Sequence, residues 1–154
     1  MVDLTDLTNA FTSTLQAIPE LVTLMGGDTS NIWSYIDVNP DMNSVQAATY
    51  GLEPGDLMVV HIETALAYGQ SGSARWLHKV EFRYKAPKGV SNLQIANTIV
   101  DGKPQPGDGQ IWRRCNVLAG LDPTEVIEIS RQTDEEYIHY HVIKTETYET
   151  GDWN

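Results

Sequence analysis

Four histidines, one cysteine and one glycine-serine loop are the residues whose types and spacing suggest chemistry. His61-Ile62-Glu63 matches the H-x-E half of a zinc deaminase signature, in which the histidine binds zinc and the glutamate moves protons. The other half, P-C-x-x-C, needs two cysteines, and Cys115 is alone. The pair therefore reads as two strand residues on one face. His139-Tyr140-His141 sets two imidazoles on one strand face, about 7 Å apart by strand rise. Two imidazoles become a metal site only when a third ligand joins them. Glu135, Glu136 and His61 are the candidates, against the plainer reading of an exposed polar sheet face. No metal and no cofactor is assigned. Gly69-Gln70-Ser71-Gly72-Ser73 superficially suggests a nucleophile elbow, but G-x-S-x-G must join a strand to a helix. Here position 73 is Ser and the segment joins two strands. No phosphate-cradling glycine motif is present. Cys115 has no assignable base and reads as a small buried hydrophobe. The chain is therefore expected not to be an enzyme.

The elements around these residues are easier to read. Leu4, Leu7, Phe11, Leu15 and Ile18 recur at steps of three and four, the apolar stripe of an amphipathic helix. Asp3 or Thr5 can cap its start. Pro19 fits the first turn of a second helix, which Gly26-Gly27 ends. Ile32 to Ile36 reads as a short extended run. Asn39-Pro40-Asp41 is a helix start, running to about Tyr50, and Glu53-Pro54-Gly55-Asp56 is a turn. Leu57 to Ile62 is a strand with little alternation, as expected when both faces are buried.

Trp76, His78, Val80, Phe82 and Tyr84 alternate with Leu77, Lys79, Glu81, Arg83 and Lys85, the cleanest strand pattern in the chain. Ser91 caps a helix that turns Leu93, Ala96, Ile99 and Val100 inward and ends at Asp101-Gly102. Ile111–Leu118, Glu125–Ile129 and Tyr137–Tyr148 read as strands, with an acidic hairpin tip at Thr133–Glu136. This order predicts an α+β fold: a mostly antiparallel sheet, with N-terminal helices and one inserted helix packed on one face. It predicts a single domain over residues 1–148 and a flexible tail over 149–154, which carries Trp153.

The 154 residues carry a net charge of −11, distributed unevenly. All nine charged residues before Arg75 are acidic. From Arg75 to Arg114 eight Lys/Arg stand against three Asp/Glu, and beyond that two stand against nine. Segregation of this kind reads as electrostatics used in assembly and orientation. The acidic balance argues against a protein that grips nucleic-acid phosphates or an anionic membrane. No run approaches the roughly 20 apolar residues of a membrane span. The amino end lacks the basic start of a signal peptide, so a cytosolic site of synthesis and residence is expected.

The helix pair closing at Gly26-Gly27, the run Ile32-Trp33-Ser34-Tyr35-Ile36, the buried strand Leu57–Glu63, the Trp76-Leu77-His78 strand and the helix ending Ile99-Val100-Asp101-Gly102-Lys103-Pro104 come in a telling order. Over roughly residues 4 to 149 the layout resembles tail terminator (tail completion) proteins of long-tailed bacteriophages. The resemblance implies a small α+β subunit of a homohexameric ring on the finished tail tube. Its implied partners are other copies of itself, the tail tube protein and a head-completion or neck protein. Double-stranded DNA would pass through the lumen without specific binding. The implied location is the virion tail or neck, after assembly in the cytoplasm of a bacterial host. No catalytic residue comes with the family. A ring of identical subunits needs two unlike, complementary patches, and Arg83, Lys85, Lys88, Arg113 and Arg114 are the expected interface cations, with Trp153 as an anchor. The alternatives are another neck component, such as a head-completion or connector protein, or a small metal-binding domain or enzyme.

Overall fold

A computed structural model describes residues 2–38, 51–68, 74–101, 121, 125–134 and 138–150. Two helices open the chain, α1 (Leu4–Gln16) and α2 (Pro19–Leu24). A single 3-10 turn (Thr29–Asn31) leads into β1 (Ile32–Ser34) and the short α3 (Tyr35–Val38). The remaining elements among the described residues are β2 (Leu57–Tyr68), β3 (Ala74–Tyr84), α4 (Asn92–Asp101), β4 (Glu125–Asp134) and β5 (Ile138–Thr150). The strands form one sheet in the order β1-β2-β3-β5-β4. Among the described residues only the β1–β2 pairing is parallel. The architecture is the expected α+β, a mostly antiparallel sheet with α1, α2 and α4 packed on one face, while the short α3 lies on the other.

The local signals act as their chemistry requires. The Asp3 carboxylate accepts from the Thr5 and Asp6 N–H groups and caps α1. Pro19 occupies the first turn of α2, where its missing N–H costs nothing. That helix ends in a two-bond glycine cap. Gly26 N–H donates to Thr23 O and Gly27 N–H to Val22 O, with φ of +106° and +87° that favour glycine. Gln16 Nε2 then donates to Ile32 O at 2.7 Å and fixes α1 against β1.

The main core lies between the helices and one sheet face. Leu7, Phe11, Leu15 and Ile18 of α1 meet Leu57, Val59, Val80, Phe82, Tyr84 and Ile143 of the sheet. Ile95, Ala96 and Ile99 of α4 complete it. The Phe11 and Phe82 rings sit 5.7 Å apart and tilted, a favourable aromatic arrangement. A smaller cluster lies on the opposite sheet face: Tyr35, Leu52, Met58, Val60 and Val142, with Trp33, Ile36 and Ile62 against it. The weak alternation of residues 57–60 is thereby explained, since both faces of β2 are buried there.

Several expectations are corrected. The extended run ends at Ser34, and Tyr35 begins a helical turn that carries Tyr35 and Ile36 onto the second cluster. Leu93 is 69% exposed rather than inward, and Ile95 takes the inner position instead. β5 runs through Thr150, and Glu149 is buried, so the ordered domain does not stop at 148. The helix expected after Asn39, the 69–73 loop, the Ile111–Leu118 strand and the tip residues Glu135 and Glu136 lie outside the described residues.

Candidate functional site

The expected interface residues fall into three settings. Arg83 sits on the second face of β3, between Met58 of β2 and Val142 of β5. It is buried, and its Nε and Nη2 both reach Glu81 Oε2 at 2.9 Å. Such a guanidinium is held for internal packing and offers almost no surface to another molecule. Lys85 follows the end of β3 and is half-buried, its backbone bonded to Gly55 and Asp56. Lys88 is exposed in the following turn. Arg113, Arg114 and Trp153 lie outside the described residues. The basic stripe is partly neutralised locally as well. Lys79 pairs with Glu63 at 3.3 Å, and the Arg75 guanidinium lies over the Tyr148 ring.

The acidic amino-terminal half also has local duties. Asp3 caps α1, and the Asp56 carboxylate accepts from Glu53 N–H in the turn before β2. Asp28 accepts from Ser30 N–H, and bonds from that backbone N–H and the Ser30 hydroxyl hold its carboxyl below the usual value. These roles account for part of the charge pattern without any partner.

The most developed polar arrangement is elsewhere. His61, Thr64, His78 and Glu149 form a continuous hydrogen-bonded chain across β2, β3 and β5, on the sheet face that carries the helices. His61 Nε2 lies 2.8 Å from Thr64 Oγ1, which lies 2.9 Å from His78 Nδ1. His78 Nε2 lies 2.7 Å from Glu149 Oε2, which also accepts from Val2 N–H at 3.1 Å. His78 is fully buried. Burial first, then the neighbouring His78, hold the His61 ring below its ordinary pKa, while a bond to the Glu63 backbone works the other way. Burial raises the Glu149 carboxyl, but bonds from His78 and Val2 N–H, with the positive charge at the amino end, outweigh it and leave the group lowered.

A β-bulge creates this chain. Register shifts between His61, opposite Val80, and Glu63, opposite Lys79. His61 therefore faces the helices and Glu63 the opposite side, which corrects their expected placement on one face. The same shift aligns Thr64 with His78. Thr64, His78 and Glu149 have the connectivity of a nucleophile, a base and an orienting acid. A hydroxyl already shared between two rings, with its base fully buried, is a poor nucleophile. The arrangement reads as internal structure.

The other sequence candidates give less. His141 stacks on Tyr84, ring centroids 5.5 Å apart, and His139 has no described side chain. Among the described residues no group of three or more His, Cys, Asp or Glu could hold a metal ion. Among them, too, no helix is long and apolar enough to cross a membrane. No family model matches the chain, and no curated protein does.

Sequence reasoning missed the polar chain because one of its members, Glu149, was assigned to a loose tail. One signal was available. The clean alternation of β3 already put His78 among apolar inward residues, and a buried imidazole needs a partner.

Proposed function

We propose that this chain is a phage tail terminator, a structural subunit that closes into a homohexameric ring on the end of the tail tube. The ring stops tube growth and meets a head-completion or neck protein on its other side, and double-stranded DNA passes through its lumen. The observation that carries the proposal is the outer edge of the sheet. β4 is an edge strand, and among the described residues no strand pairs with its outer side. It carries two half-exposed isoleucines, Ile127 at 51% and Ile129 at 50%. An open strand edge bearing apolar side chains favours association unless it is covered. A head-to-tail ring covers such an edge once per subunit, because its contact joins two unlike patches.

Charge supports the same reading. Asp3, Asp6, Glu20, Asp28 and Asp37 are exposed on the amino-terminal elements, and Lys88 is exposed beyond β3. Lys85 and Lys88 are the described cations placed to meet an acidic neighbour, with Arg113 and Arg114 joining them from the sequence. An acidic lumen would let duplex slide, because binding it depends on cations displacing counterions from phosphates.

Native mass spectrometry over a concentration series, alone and with tail tubes, tests the proposal. Six copies, free or at one tube end, are expected. A concentration-independent monomer that ignores tubes overturns it. Reversing Lys85 and Lys88 to Glu together should weaken ring formation at least tenfold, with unfolding midpoint little changed. Ring formation by that variant at wild-type concentration would remove these lysines from the interface.

A further inference from the structure

The chain from His61 to Glu149 is more elaborate than packing requires, and it has a defined proton count. Thr64 has one hydroxyl proton, so it donates to one imidazole and accepts from the other. An ionised Glu149 fixes the order. His78 Nε2–H donates to Glu149, Thr64 O–H donates to His78 Nδ1, and His61 Nε2–H donates to Thr64. Every contact at 2.7–2.9 Å is then satisfied with both rings neutral.

One added proton can be held between His78 and the Glu149 carboxylate. Thr64 then accepts from both rings, which its two lone pairs permit. A second proton falls on His61, which keeps a partner in the Glu63 backbone but faces an already charged neighbour. It makes two imidazolium rings whose centroids are 6.4 Å apart, with the His78 ring fully buried. Like charges at that distance, one of them out of reach of solvent, oppose each other.

Location gives this count a consequence. Thr64 and His78 lie in the outer half of the β2–β3 hairpin, beyond the bulge, where Leu66 pairs with Trp76 and Tyr68 with Ala74. Glu149 lies at the far end of β5 and holds the entry to α1 through Val2 N–H. The inner half of the hairpin is anchored by the apolar residues Leu57, Val59, Val80 and Phe82. The outer half faces the helices through this polar chain and is the part that protonation would loosen.

We propose that His61, Thr64, His78 and Glu149 form a proton-operated latch, which closes the outer β2–β3 hairpin onto β5 and the entry to α1 and opens when both imidazoles are charged. The groups facing it are few among the described residues. β2 contributes His61, β3 His78 and β5 Glu149, while the amino end adds a positive charge that acts on Glu149. Glu63, Lys79, Lys144, Glu146 and Tyr148 belong to the opposite face by register. Asp3 and Asp6 of α1 are exposed. The latch does not depend on the proposed ring.

Hydrogen exchange read by mass spectrometry, at pH 7.5 and pH 5 with intrinsic rates divided out, tests it on the whole chain. Peptides from residues 63–78 and 145–150 should lose at least tenfold protection at pH 5 relative to residues 57–60. His61→Gln keeps a donor toward Thr64 and cannot be charged, so it should abolish most of that loss. Equal protection of the outer hairpin at both pH values in the wild type overturns the latch, and so does a loss spread evenly over the sheet. A His61→Gln variant that folds and still loosens as the wild type does overturns it too.

Discussion

Replacing Glu81 by alanine removes the carboxylate that holds both Nε and Nη2 of the buried Arg83. Deleting one partner of a buried ion pair costs up to about 3–5 kcal/mol, and less where other groups still hold the charge. Urea unfolding of Glu81→Ala should show a clear loss within that limit. Replacing the pair together, Glu81→Leu with Arg83→Met, should cost far less, because no uncompensated charge remains. The contrast separates internal pairing from a role in subunit contact, for which Lys88 is better exposed. At this scale the sequence was only half legible. Residue type said that Arg83 was charged and on one face of a strand. Whether that face met solvent depended on Tyr35, Leu52 and Met58 arriving from other parts of the chain.

The elements were legible where one local rule dominated. The stripe Leu7, Phe11, Leu15 and Ile18 is buried as its spacing requires, and the alternation of β3 from His78 to Tyr84 holds on its inner face. Capping chemistry worked too. Asp3→Ala should cost about 1 kcal/mol by removing the acceptor of two amide groups at the start of α1. Thermal unfolding with matched calorimetry would read it, and loss of helix signal alone below the main transition would locate it. The bulge at His61–Glu63 was not legible, because an inserted strand residue leaves no compositional mark and is defined only by the partner strand. The end of β5 was missed for a related reason. Thr147, Glu149 and Thr150 look like solvent residues until they are laid against His78, Trp76 and Arg75 of β3.

For the molecule as a whole, acid should act through the polar chain. His61 binds its proton less readily folded than unfolded, its pKa lying below the ordinary 6.5. Between those values the unfolded chain holds more protons, so stability falls as pH drops below 6.5. Glu149 is lowered from 4.5 and has the same sign. Its contribution is complete above 4.5 and is lost as pH falls further, through its folded value. Urea midpoints at pH 8, 6.5, 5 and 4 should therefore decline in two stages. His61→Gln should flatten the upper stage and leave the lower one. A midpoint that rises on acidification to pH 5 would contradict the burial of this chain.

The order of the strands carries one more consequence, for the speed at which the sheet assembles. β2–β3 and β4–β5 each join neighbours in sequence, whereas the β3–β5 seam between them joins residues such as Val80 and Thr145, 65 positions apart. Two hairpins of this kind form locally and early, and their docking must close a long loop before any contact across the seam is gained. The central seam is therefore the last part of the sheet to form. Until it closes, β3 and β5 each present an open edge, and neighbouring nascent copies offer the same strands to pair with it.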